Sequence, residues 1–153
     1  MAEELPEVMF IWVGGIPFKQ LGADYASMQR LMNSVPSNVK ITGVIPHAQV
    51  RDYMAAADVF CLPAEQENHP MCVLEAAGSD LPIILRDIPE YDDTFGDDVI
   101  RCNDDDFTKA VLLLKNNKTA YKKQQQKTRA IAERFDSSVA AERLVKLYKQ
   151  LIY

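Results

Sequence analysis

Two carboxylates stand in the stretch LPAEQENHPMCVLEAAGSDLPII, Leu62 to Ile84, with seven residues between them. Glu67 precedes Asn68-His69-Pro70, and Glu75 lies inside the apolar run that follows. The pattern predicts a helix from about Pro70 to Ala77, because proline suits a first helical position whose N–H would be orphaned anyway. The first amides of that helix, around Met71 and Cys72, have no intrahelical partner and form a site for an anion. A rise of about 1.5 Å per residue puts the Glu75 backbone about 7 Å below the helix entrance. The two carboxylates would then flank a ligand rather than grip one atom. Each carboxylate accepts hydrogen bonds from two neighbouring hydroxyls. A sugar nucleotide is diol, diphosphate, diol, which matches acid, helix entrance, acid. The spacing alone also allows a plainer arrangement, with Glu75 facing solvent and Glu67 a loop charge.

Metal chemistry has less support. Glu67, Glu75 and His69 make no pattern such as H-E-x-x-H. His69 reads either as a polar loop residue or as a sugar ligand. His47 follows Pro46 and opens a helical stripe without chemistry.

The elements that must hold this segment are legible as two alternating periods. Val8–Val13, Val39–Thr42, Val59–Leu62, Pro82–Leu85 and Val99–Cys102 are short continuous apolar runs. Such runs fit strands buried on both faces of a parallel sheet. Between and after them lie helical stripes: Tyr25, Met28 and Met32; Val50, Tyr53, Met54 and Ala57; Phe107, Ala110, Val111 and Leu114; Ala140, Leu144, Leu147, Tyr148 and Leu151. The alternation predicts an α/β fold, a Rossmann-like doubly wound parallel sheet in a single domain over 1–153, with extra C-terminal helices after about Asp104. Asp136-Ser137-Ser138 predicts the N-cap of the last helix. Ligands of such sheets bind beyond the carboxyl ends of the strands. Gly14–Lys19, Gly43–His47, Pro63–Cys72 and Arg86 are expected at that edge.

Composition bounds the function. The chain has 153 residues, 48% hydrophobic and 25% charged. That is ordinary globular composition. A net charge of −5 argues against sequence-independent nucleic-acid binding, which needs cations for the phosphates. No apolar run approaches the roughly 18 residues of a membrane span. The acidic start MAEELPEV lacks the pattern of a signal peptide, so a cytoplasmic location is expected. Cys61, Cys72 and Cys102 form no C-x-x-C and are expected as buried, reduced thiols. The basic stretch Lys115–Arg129 is either a solvated helix face or a patch for anionic lipid head groups. Other nucleotide motifs fail: there is no G-x-x-x-x-G-K-[ST] loop, and Gly14-Gly15 does not extend to G-x-G-x-x-G. A phosphoacceptor receiver would want Asp at the end of its third strand, where Leu62-Pro63 stand.

PAEQENHPMCVLEAAGSDLPII resembles the E-x7-E signature of the retaining glycosyltransferases of group 1, also called family four. NVKITGVIPHAQVRDYMAAADVFCLP resembles that family's segment from the second strand through the third. FIWVGG resembles the first strand of its carboxy-terminal domain, and FDSSVAAERLVKLYKQLI its closing helix. The resemblance covers nearly the whole chain. It implies the donor-binding half of a GT-B enzyme with two facing domains, the amino-terminal acceptor domain missing from these residues. On that resemblance Glu75 holds the ribose hydroxyls, and Glu67 is the catalytic carboxylate against the donor sugar. Main-chain N–H groups of Asn68, His69, Met71 and Cys72 contact sugar and phosphate; Pro70 has none to give. Val44 and Ile45 read the base, and Gly14-Gly15 let the diphosphate approach. Many members carry Arg where this chain has Gly15. Lys19 matches the family's nearby Lys, and Arg86 is a further candidate for the diphosphate. The resemblance implies a nucleotide sugar as donor, a UDP-sugar, and no metal or other cofactor. It also implies direct displacement without a covalent protein nucleophile. WVGGIPFK and LPIILRDIPEY resemble a Gram-positive subgroup that glycosylates diacylglycerol or its glucoside. That implies a membrane lipid acceptor and a whole enzyme peripheral on the inner membrane face. The competing expectation is a non-catalytic binding or scaffold domain descended from such an enzyme.

Overall fold

The computed structural model of the chain describes residues 1–15 and 25–152. It divides into two compact units, Met1–Ala56 and Ala57–Tyr153.

The first unit pairs β1 (Phe10–Trp12) with β2 (Val39–Ile41) in parallel, Phe10 opposite Val39 and Trp12 opposite Ile41. Two helices accompany them, α1 (Tyr25–Asn33) and α2 (His47–Ala56). The Asn38 side-chain amide ties the amino-terminal turns to the start of β2. Its Nδ2 donates to the carbonyls of Ala2, Leu5 and Val8, each at 2.9 Å. The first apolar run was expected to be buried on both faces, and it is not: Ile11 is 48% and Trp12 49% exposed. A two-stranded sheet offers little area to cover, and α2 contributes no buried residue. Leu5 is the one buried hydrophobe among the described residues of this unit.

The second unit holds the core. Its parallel sheet has the order β3 (Phe60–Leu62), β4 (Ile83–Arg86), β5 (Ile100–Cys102). Ile84 on the central strand faces Cys61 on one side and Ile100 on the other. Ile83, Ile84 and Leu85 are wholly buried, as a continuous apolar run on a two-sided strand requires. Helix α3 (Met71–Gly78) supplies Val73, Ala76 and Ala77 to this core. Helix α4 (Phe107–Asn116) supplies Phe107, Ala110, Val111 and Leu114, the third predicted stripe. Helix α5 (Lys118–Arg134) supplies Ile131 and packs against α3. All five predicted apolar runs became strands, and the fold is α/β, Rossmann-like and parallel with carboxy-terminal helices.

Helix α5 is more than a solvated basic face. Asn117 caps it, its Oδ1 accepting from the Thr119 and Ala120 amides at 3.1 and 3.0 Å. Buried Gln124 donates to the Asp98 carbonyl at 2.7 Å. Arg129 makes a two-pronged pair with Asp80 at 2.9 and 3.0 Å, and Arg134 reaches Asp98 and the Thr94 carbonyl. Asp80 stands just past α3 in the left-handed region, with φ 58°. The Arg129 pair therefore fixes the turn that ends α3.

The last helix, α6 (Ser137–Ile152), begins at the predicted cap: Asp136 Oδ1 accepts from the Ser138 amide at 2.8 Å. Its apolar stripe was expected to face a core, yet Leu144, Leu147, Tyr148 and Leu151 are 49–74% exposed and no residue of α6 is buried. A helical apolar stripe reports that a face is amphipathic; it does not supply the partner. No helix of the described residues is long and apolar enough to cross a membrane.

Candidate functional site

The site builds up from the end of β3. Arg86, at the end of β4, anchors the root of the following loop. Its Nε donates to the Pro63 carbonyl at 2.9 Å, and its Nη1 pairs with Asp104 at 2.5 Å. A residue expected to face the diphosphate is thus already committed to two protein partners.

The loop ends at Pro70, which sits one position earlier than predicted, as the N-cap of α3 with φ −72° and ψ 108°. A proline φ is compatible with both places. Among the described residues no side chain caps this helix start. The Pro70 carbonyl accepts from the Val73 amide at 3.1 Å, leaving the Met71 and Cys72 amides at the open end. Pro70 is buried, while Asn68, His69 and Met71 are exposed. Glu67 and Glu75 are both half-buried, so Glu75 does not stand in bulk solvent.

The Cys72 thiol reports where the two carboxylates lie. A thiol at a helix start is ordinarily acidified. Here burial raises its pKa, and the charges of Glu67 and Glu75 raise it further. The amides of Cys72 and Val73 pull the other way and are outweighed. Both acids thus disfavour the Cys72 thiolate. Burial, then Cys102, pushes the Cys61 thiol up to about 12, and burial with Asp106 and Asp87 raises that of Cys102. Glu67→Gln and Glu75→Gln are each expected to speed alkylation of Cys72 by iodoacetamide at mildly alkaline pH, because each removes a charge that disfavours the thiolate. Rates equal to the parent's in both variants would show that the acids do not converge there.

His69 is held by rings from distant parts of the chain. It stacks on Phe95 with centroids 6.3 Å apart and planes 14° apart, and meets Phe135 at 5.7 Å. Phe95 also touches Tyr91 at 5.6 Å. The Arg134 guanidinium lies 5.4 Å from the Phe135 ring centroid, within cation–π reach. This cluster braces the loop between Glu67 and α3. Sequence reasoning missed Tyr91, Phe95 and Phe135; the available signal was Tyr91 and Phe95 following β4, while Phe135 stands at the end of α5. Among the described residues no three His, Cys, Asp or Glu side chains group as metal ligands.

The remaining site candidates lie in the first unit. Gly14 and Gly43 form an isolated antiparallel bridge, and the Gly14 amide donates to Thr42 Oγ1 at 3.2 Å. A Cβ at Gly15 would stand 3.0 Å from the Val44 nitrogen and 3.2 Å from Gly43 Cα, both backbone atoms. A side chain at position 15 would therefore need the Gly43–Val44 backbone to give by a few tenths of an ångström. Val44 is 74% exposed and Ile45 half-buried. Lys19 lies outside the described residues.

The family model of the group 1 glycosyl transferases matches residues 1–117. The chain belongs to this family. Within 91 residues, 60% of this chain, it is 40% identical to the alpha-galactosylglucosyldiacylglycerol synthase of Streptococcus pneumoniae, covering 24% of that protein. It is 32% identical over 93 residues, 61% of this chain, to the processive diacylglycerol alpha-glucosyltransferase of Acholeplasma laidlawii, covering 27% of it. The chain thus spans about a quarter of the length of these group 1 relatives. The pneumococcal O-GlcNAc transferase GtfA, solved with UDP and GlcNAc, superposes with a TM-score of 0.70 at 19% identity, over 99% of this chain and 31% of that one. At that identity the likeness carries the fold, Rossmann-like α/β of the kind found in GT-B glycosyltransferases.

Proposed function

We propose that this chain binds a nucleotide-sugar donor and serves retaining glycosyl transfer to an acceptor hydroxyl. The observation that carries the reading is the start of α3, open at the Met71 and Cys72 amides, with half-buried Glu67 on the loop before it and half-buried Glu75 one turn inside it. In this reading the diphosphate lies on the Met71 and Cys72 amides, favoured by the helix dipole. Glu75 accepts from the ribose hydroxyls and Glu67 from those of the sugar. The acceptor hydroxyl attacks the anomeric carbon from the face that the nucleoside diphosphate leaves. Its proton passes to a leaving phosphate oxygen, giving glycoside and free nucleoside diphosphate. The α3 amides then act by stabilising charge that grows on the leaving group, and positioning supplies the rest.

The acceptor and its site are proposed to belong to a separate amino-terminal domain. The names of the two curated relatives support a diacylglycerol-based lipid as acceptor, and with it a whole enzyme that works at a membrane surface.

A thermal-shift panel of UDP-, GDP- and ADP-glucose tests the donor reading. A ligand at a hundred times its Kd stabilises by about 2.7 kcal/mol, which raises the midpoint of a domain this size by several degrees. One base is expected to stand out. No shift with any member would favour a non-catalytic domain instead.

A further inference from the structure

Tyr91 ends a short 3-10 helix, Pro89–Tyr91, after β4, and its side chain is 0% exposed. Its hydroxyl has no hydrogen-bond partner among the described residues. An unpaired buried hydroxyl is costly, and folded proteins keep few of them. The ring packs on Phe95, which stacks on His69, two residues beyond Glu67. The Tyr91 ring is thus separated by one ring, Phe95, from the loop that carries Glu67. Burial pushes its pKa up to about 12, and Glu67 is the strongest charge acting in the same direction, ahead of Cys72 and Glu90, with Arg101 opposing. The group therefore keeps its proton at neutral pH and stays a donor. The other buried unpaired side-chain atom among the described residues, Arg101 Nε, belongs to a guanidinium already engaged by Asp87, Asp92 and the Ile88 carbonyl.

We infer that Tyr91 is a positioning residue for Glu67: its buried hydroxyl donates to the Glu67 carboxylate when a donor sugar is bound, and so aims that carboxylate at the sugar hydroxyls. The inference rests on the nucleotide-sugar reading and goes one step beyond it. The hydroxyl stays unpaired without ligand and is paired in the complex, so part of the sugar's binding energy is spent on closing the loop. Tyr91→Phe preserves the ring contacts and removes only the hydroxyl.

Calorimetry on the whole chain tests it with the panel glucose nucleotide that gives the largest shift, and with the matching nucleoside diphosphate. Tyr91→Phe is expected to weaken the sugar nucleotide about tenfold, the size of one charge-assisted bond. The nucleoside diphosphate should bind within about twofold of the parent, since it lacks the sugar that Glu67 serves. The free variant should melt no lower than the parent, because an unpaired hydroxyl has gone. In a Glu67→Ala background the same change should cost nothing further. Equal losses for both ligands, no loss at all, or the full loss in the Glu67→Ala background would each overturn the role of Tyr91. Glu75→Ala that leaves both ligands bound, or a parent that binds neither, would overturn the donor reading and this inference with it.

Discussion

Glu75→Ala is expected to abolish measurable nucleotide-sugar binding and to weaken the bare nucleoside diphosphate equally. The side chain leaves α3 one turn below its open end and is half-buried. In the proposed complex it takes two hydrogen bonds from one ribose. Hydrogen bonds to a charged group contribute about 1.5–3 kcal/mol each, so losing both costs roughly a hundredfold or more. Ribose is common to the sugar nucleotide and its diphosphate product, hence the equal loss. Glu67→Ala should behave differently, impairing only the ligand that carries a sugar. Because Glu75 also has contacts within the protein, Glu75→Gln is the control. It retains the shape and one acceptor oxygen and should lose less than Glu75→Ala. Calorimetry beside a melting curve separates the outcomes. An intact fold with parent-like affinity in Glu75→Ala would remove the ribose role.

The parts of this site that sequence made legible are local. Glu67, Pro70 and Glu75 lie on one loop and one helix, so spacing alone placed them around a helix start, with Pro70 off by one position. Long-range partners were hidden. His69 looked like a loop residue or a ligand, and its stacking on Phe95 and Phe135 depends on where β4 and α5 bring those rings. Arg86 read as a candidate for the diphosphate, and its bonds to Asp104 and the Pro63 carbonyl were hidden because both are remote in sequence. The same limit governs the fold. Continuous apolar runs located every strand, because hydrophobicity at successive positions is a property of the segment itself. Whether both faces are covered is not. Ile83–Leu85 and Phe10–Trp12 read alike, yet the first is wholly buried and the second is largely exposed. The α6 stripe failed for that reason too. At Gly15 the tightness is likewise long-range: a Cβ there would stand 3.0 Å from the Val44 nitrogen, a neighbour that the sequence does not reveal.

Ile84→Ala should be the most damaging conservative truncation in the sheet, and Ile11→Ala nearly silent. Ile84 is 0% exposed on the middle strand of the three. Truncating a buried isoleucine removes transfer energy and leaves a cavity, together about 2–5 kcal/mol. A domain holds only about 5–15 kcal/mol in total. At roughly 2–4 °C per kcal/mol for a chain of this size, a midpoint lower by about 10 °C is expected. Ile11, at 48% exposure, already faces solvent over much of its surface. Its loss should cost no more than about 1 kcal/mol. Urea unfolding of the two variants gives the comparison. The site adds a second readout. β4 carries Arg86, which ties down the loop after β3, and α3 packs against the same sheet. Loss of donor binding in Ile84→Ala should therefore follow loss of folding and return on cooling to about 10–20 °C, where domains are near their most stable. Equal costs at the two positions would mean that β4 does not anchor the core, and the frame assigned to Glu67 and Glu75 would go with it.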